Sequence, residues 1–228
     1  MKATKALNGT NRIADMVKDD EGKTTLTIPA IDFRTLDTQI VGTAPYMQCR
    51  FSEKAFNSIV ETQKAGTTAK GKKNREAKDF DAAYEGALHV STDGWYGIPA
   101  PAFRAAMIDV CRAVNFQMTK AKMSVFVEAD GFDRVDGTPL VRIYGEPEKN
   151  TMPVRLPNGS FDARIRPMWR EWTARVRVRY DAAQFTAQDV MNLLYRAGAQ
   201  VGVGEGRPFS RNSAGMGLGT FSVERQDG

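Results

Sequence analysis

Arg175, Arg177 and Arg179 occupy alternate positions of one extended run, Thr173 to Tyr180, with Ala174, Val176, Val178 and Tyr180 between them. A period of two places the three guanidinium groups on one face of a strand and the apolar side chains on the other. Like charges about 7 Å apart repel, so something must neutralise them. Acids on adjacent strands would do so, and so would phosphates, which the guanidinium fork matches in charge and geometry. The excess is local: from Arg155 to Arg179 the chain holds seven arginines, Arg164, Arg166 and Arg170 among them, against two acids, Asp162 and Glu171. A second basic cluster, Lys70, Lys72, Lys73, Arg75 and Lys78, is interrupted only by Glu76. Local excess of this kind is the electrostatic footprint of a phosphate-binding surface.

Other residues bear on chemistry less directly. Val201 to Pro208 is rich in glycine, and Gly204 and Gly206 would let backbone amides approach a ligand. It is not a dinucleotide fingerprint, because the spacing differs and no helix follows. Cys49 and Cys111 are the only cysteines and His89 the only histidine. No zinc spacing and no nucleophile elbow is present, so neither a metal site, a cofactor nor a catalytic residue is expected. His89, between Leu88 and Val90, reads as a strand or surface residue. Asp79 and Asp81 are the carboxylates to consider for magnesium, although beside a lysine-rich segment they read as local charge balance. Trp95, Tyr96, Trp169 and Trp172 interleave with the basic segments, and such rings stack on unpaired bases. One of Trp169 and Trp172 is expected to anchor the core, which leaves Trp169 a candidate contact.

The composition sets these residues in an ordinary globular setting. Of 228 residues, 42% are hydrophobic, enough for a core, and the formal net charge of +5 is mild, so charge distribution matters more than the sum. No apolar stretch reaches the length of a membrane helix. Met1 to Asp20 contains no apolar signal core, and two cysteines in such a chain suit a reducing compartment, so the cytoplasm is the expected location.

The elements that must position these groups follow from periodicity. An arm over 1–24 precedes a single domain over 25–228. Thr25 to Pro29 alternates as an edge strand, and an extended segment covers about 39–51. A helix follows Ser52, and an exposed basic loop spans 67–81. Ala102, Ala105, Ala106, Met107, Val110 and Cys111 trace a helical face behind Pro99 and Pro101. Met123 to Glu128, Leu140 to Tyr144 and Thr173 to Tyr180 read as strands. Thr186 and Asp189 form a capping box, Val190, Leu193, Leu194 and Ala197 make the buried stripe, and Gly198 is the expected C-cap. A last strand lies at 218–224. The order is β-α-β-β-α-β, an α+β, ferredoxin-like (RRM-like) palm with insertions at about 52–98 and 129–172. The second insertion, Gly145 to Pro167, holds four prolines and shows little periodicity.

Gly97 to Met107 resembles the segment in which the RAMP superfamily, the RNA-binding backbone proteins of type I and type III CRISPR effector complexes, writes Ile-Pro-Gly-Ser-Ser-Leu-Lys-Gly at the head of its first core helix. Gly204-Glu205-Gly206-Arg207-Pro208, followed by Gly215-Met216-Gly217-Leu218-Gly219, is similar to that superfamily's glycine-rich C-terminal loop. The chain also resembles phage and prophage proteins that share a Val-Gly-Val-Gly-Glu ending and a Gly-Thr-x-Pro opening, here Gly42 to Pro45. In the helix-head motif only Arg104 matches a basic position, and the catalytic aspartate of type III backbone proteins has no counterpart. The resemblance implies an RRM-like palm, a single strand of RNA or DNA tracking the sheet and glycine loop, and head-to-tail homo-oligomers.

The expectation is therefore a non-catalytic single-stranded nucleic-acid-binding protein. Arg175, Arg177 and Arg179 meet phosphates or stack, Arg104 and Arg207 clamp the backbone, and Lys70, Lys72, Lys73 and Arg75 gather the strand. The arginine row and the Gly202–Gly219 loop would form two walls of one groove. Two alternatives stand beside it: a phage structural protein that binds an acidic protein partner, and a metal-dependent nuclease using Asp79, Asp81 or Asp109.

Overall fold

The hydrogen-bonding edges of one long strand organise the molecule. A computed structural model describes residues 15–18, 24–28, 30–50, 60, 61, 63, 64, 79–155, 159, 161–210 and 214–224. β3 (Phe33–Gly42) runs antiparallel to β11 (Thr173–Asp181) along the whole length of the latter, with Thr173 opposite Val41 and Asp181 opposite Phe33. β12 (Phe221–Val223) covers the far edge of β3. The other edge of β11 is shared: β6 (Val125–Val127) pairs with Val178 to Tyr180, and β8 (Pro139–Tyr144) with Thr173 and Ala174. β5 (Gly97–Pro99) and β7 (Gly131–Phe132) pair with β8, giving seven antiparallel strands. A second sheet has the order β4 (Tyr46–Met47), β10 (Phe161–Trp169), β9 (Glu148–Arg155). β1 (Asp15–Lys18) and β2 (Thr24–Thr27) pair with each other. The architecture is mixed α+β with antiparallel sheets.

Helices cover one face of the large sheet. α1 (Phe80–Glu85) packs on β10 in the second sheet. α2 (Ala100–Ala113) starts at Pro99, with Pro101 in its first turn where no N–H partner is needed, and buries Phe103, Met107, Val110 and Cys111 against β5, β6 and β8. α3 (Met118–Ser124) leads directly into β6. The extended run expected from Met123 is thus a helix end followed by a strand of three residues. α4 (Ala187–Arg196) opens on the expected capping box, in which the Thr186 hydroxyl accepts from the Asp189 amide and the Asp189 carboxylate accepts from the Thr186 amide. Its stripe of Val190, Leu193 and Leu194 lies over β3 and β12. Each such buried side chain contributes about 1.5–3 kcal/mol relative to exposure.

Gly198 is not the C-cap. The chain continues as a π turn over Ala197–Val201, and Gly202, at φ 72°, takes the left-handed position. Gly198 is required for closeness instead, since a Cβ there would lie 2.2 Å from the Phe221 carbonyl oxygen.

The proline-rich stretch after Gly145 also departs from expectation. It is a long hairpin, β9 against β10, in which Pro153 stands opposite Ala163 and Pro167 opposite Lys149. Proline tolerates a strand only where its missing N–H goes unused, which blurred the period that would have marked two strands. Among the residues expected to be helical after Ser52, only Val60, Glu61, Gln63 and Lys64 are described, and these are helical. No helix among the described residues is long and apolar enough to cross a membrane.

Candidate nucleic-acid interface

β11 alternates as its sequence requires. Ala174, Val176, Val178 and Tyr180 are buried beneath the helices, and Arg175, Arg177 and Arg179 point from the opposite, open face. Acids neutralise two of the three. Arg175 forms a bidentate pair with Asp37, with Nε to Oδ1 and Nη2 to Oδ2 both at 2.7 Å. Arg177 lies 3.0 Å from Asp130 Oδ1 and 3.5 Å from Glu128 Oε2, and donates to the Ala129 carbonyl at 3.0 Å. Arg179 sits over two rings, 5.0 Å from the centroid of Phe33 and 5.4 Å from that of Phe126, a cation–π arrangement.

The sheet adds residues to this face that the sequence did not single out. Directly opposed residues share a face, so the pairing of Tyr144 with Thr173 and of Arg179 with Phe126 places Tyr144 and Phe126 beside the row. Arg142, two residues before Tyr144, points the same way. The Asp130 carboxylate joins the parts, accepting from the Arg142 amide at 2.8 Å while facing Arg177. Beyond Arg142 lies a cleft of about 640 Å³, lined by Trp95, Tyr96, Arg142, Tyr144, Asp93 and Glu146 among others. Leu140 to Tyr144 was legible as a strand, but which of its residues share a face with β11 depends on a register fixed 30 residues away.

The glycine loop is a clasp built from its own amides. Val203 donates to the Gly219 carbonyl at 2.9 Å, Glu205 to Met47 at 2.8 Å, and Gly219 to Pro45 at 2.8 Å. Gly204, at φ 83°, leaves space that the Tyr46 ring and the Met47 carbonyl fill, and the space at Gly206 is bounded by Leu218 and Met216. Arg207 closes the loop by donating to the Gly204 carbonyl at 3.2 Å. The arginine that meets this loop is Arg166 of β10, 2.6 Å from Glu205 Oε2. The hydrogen-bond and ion-pair partners of the loop and those of the arginine row are different residues.

Two more expected contacts serve the fold. Arg104 donates to the Val125 carbonyl at 2.8 Å and the Lys122 carbonyl at 2.5 Å, satisfying the C-terminal end of α3, and lies over Phe126. Trp169 is fully buried between Tyr46 and Tyr96, and its Nε1 donates to the Gly145 carbonyl at 3.2 Å, leaving no ring face for a base. Trp172 is buried as well and donates to the Ala44 carbonyl at 2.9 Å, so both tryptophans are core residues. Arg164 is half-buried on β10. Lys70, Lys72, Lys73 and Arg75 lie outside the described residues.

The nuclease candidates are not gathered. Asp79 caps α1 through the Ala82 amide, Asp81 pairs with Lys149 at 2.5 Å, and Asp109 lies on α2 beside Arg112. Among the described residues, three ligand-bearing side chains come within 4.8 Å of one another at His89, Asp133 and Asp136. No local sequence pattern marks this cluster, because His89 lies more than 40 residues from Asp133 and Asp136 in the chain. His89 is buried, with Nδ1 2.8 Å from Asp133 Oδ2, and its amide donates to Gln48 Oε1 at 2.7 Å. Arg50 already supplies the counter-charge, 3.8 Å from Asp133 and 3.3 Å from Asp136, where a metal ion would have to compete. Burial works against the Asp136 carboxylate, but the Thr138 hydrogen bonds and Arg50 outweigh it and hold its pKa below the usual value. The arrangement pins the turn after β7 to the chain entering β5. Next to it, the Gln48 amide donates to the Tyr46 hydroxyl, whose pKa burial raises.

A scan against protein-family models gives no match, and a search of the curated proteins gives none.

Proposed function

We propose that the protein binds single-stranded nucleic acid across the open face of its large sheet, without catalysis, and assembles head to tail along the strand. The observation that carries this reading is one solvent-facing layer holding Arg142, Arg175, Arg177 and Arg179 together with Phe126 and Tyr144, with Trp95 at its margin. Guanidinium groups meet phosphates, and exposed rings stack on unpaired bases of any sequence. The internal acids lower the charge of the face, so binding should be moderate and strongly salt-dependent.

The strand order β12-β3-β11-β6, with α2 after β3 and α4 after β11, supports a ferredoxin-like, RRM-like palm of the RAMP kind. The free thiols of Cys49 and Cys111 suit the cytoplasm as its location. A filter-binding titration with homopolymers at several salt concentrations tests the function. Affinity that rises with length and falls steeply with salt supports it, and weak, length-independent binding or a flat salt response contradicts it.

A further inference from the structure

The cleft beside β8 has a construction that the arginine row lacks. Trp95 is held from below by two close approaches: a Cβ on Gly131 would lie 2.8 Å from the indole, and one on Gly97 would lie 3.1 Å from it. The ring is therefore seated before any ligand arrives, which lowers the ordering cost of stacking on it. The Arg142 guanidinium carbon stands 5.9 Å from the Trp95 ring centroid and 5.2 Å from that of Tyr144. Tyr144 is 49% exposed, so its ring has surface available to a ligand. Two flat rings and a flat cation thus line one side of a space of about 640 Å³, within the range of small-molecule pockets.

The rest of the lining narrows the occupant. Asp93 and Glu146 repel phosphate and accept N–H donors, and Gly94 and Gly145 leave the rim low. A ring pair flanked by acids would suit a quaternary ammonium ion, but here Arg142 already fills the cation's place. What remains is a neutral, planar group with N–H donors on its edge. Among nucleobases, guanine offers two adjacent donors, N1–H and N2–H, to the two oxygens of one carboxylate. Adenine and cytosine offer one amino group beside an acceptor, which a carboxylate opposes. Asp130, bound to the Arg142 amide and to Arg177, makes the cleft continuous with the arginine row, where the attached phosphates would lie.

We propose that the Trp95–Arg142–Tyr144 cleft is a nucleobase subsite that takes one unpaired base of a bound single strand and prefers guanine. This rests on the single-strand reading above. Trp169 and Trp172 are buried in the core, so quenching of the half-buried Trp95 provides a local signal.

The test uses the full chain and two probes, a thymine-only 12-mer and the same strand with one central guanine. Anisotropy and tryptophan emission are read for the wild type, Tyr144→Ala and Glu146→Gln. The expected result is quenching, about tenfold tighter binding of the guanine strand, loss of that preference in Glu146→Gln, and about tenfold weaker binding of both strands by Tyr144→Ala. Equal affinity of the wild type for the two strands, with Tyr144→Ala unchanged, overturns the subsite and leaves the single-strand function standing. Failure of the wild type to bind either strand overturns both. Tyr144 and Glu146 are exposed, and unchanged thermal unfolding of the variants verifies that they fold.

Discussion

Asp37 stands directly opposite Arg177 in the β3–β11 ladder, yet its carboxylate is held by Arg175, the neighbour on the diagonal. Arg177 turns instead to Glu128 and Asp130 on the other side of its strand. The row is thus spaced by acids on both flanks, which answers the repulsion its sequence raised. The Arg175–Asp37 pair is exposed, and pairs of this kind contribute little to stability, so a phosphate can take the carboxylate's place.

Asp37→Asn should therefore strengthen binding to an oligonucleotide. We expect a gain of roughly threefold at low salt and a salt slope steeper by about one unit, as Arg175 is released to a phosphate. Anisotropy titrations over a salt series measure both. Weaker binding would mean that Asp37 positions Arg175 for the ligand.

Trp169 belongs to the core and not to the ligand, so its truncation should act on stability. Trp169→Ala should cost about 3–5 kcal/mol, read by urea unfolding. A variant that keeps wild-type stability and loses binding would return this ring to the interface.

Gly204 and Gly217 share left-handed backbone, at φ 83° and 80°, but differ in surroundings. A Cβ on Gly204 would lie 2.5 Å from the Met47 carbonyl oxygen, whereas one on Gly217 meets nothing within 4 Å. Gly217→Ala should cost about 1 kcal/mol from backbone strain alone. Gly204→Ala should cost clearly more, because the clasp over β4 must open. Equal melting temperatures for the two variants would contradict the clasp.

The capping box of α4 carries a pH signature. The Thr186 hydrogen bonds hold the Asp189 carboxyl below its usual pKa. A pKa depressed by folding adds stability that is present above the ordinary carboxylate pKa and is lost as pH falls through the folded value. Thr186→Ala should lower stability by about 1 kcal/mol near neutral pH, or about 2–4 °C in Tm, and the gap should narrow toward about pH 3. Thermal melts across that range measure it.

The parts legible in the sequence were those written in local signals. The alternation of Thr173 to Tyr180 and the Thr186–Asp189 cap need only a few consecutive residues, and both elements are present. The β9–β10 hairpin was hidden because Pro153 and Pro167 interrupt its period. Phe103, the largest side chain that α2 buries, falls outside the apolar stripe that the spacing marks, whereas Ala105, within that stripe, is exposed. The acids that neutralise the row, and the cleft at Trp95, depend on registers between distant strands. Glycines at 198 and 204 suggested a cap and a ligand contact, but they mark close approaches of Phe221 and Met47 that no local pattern reveals.

The most direct test of single-strand binding on this face is the salt dependence of affinity for a fluorescent homopolymer, compared between the wild type and the Arg175→Gln, Arg177→Gln, Arg179→Gln triple variant. We expect the triple variant to bind at least tenfold more weakly and its slope of log K against log salt to be shallower by about two units. An unchanged affinity and slope in a correctly folded variant would contradict the claim that nucleic acid lies along these arginines.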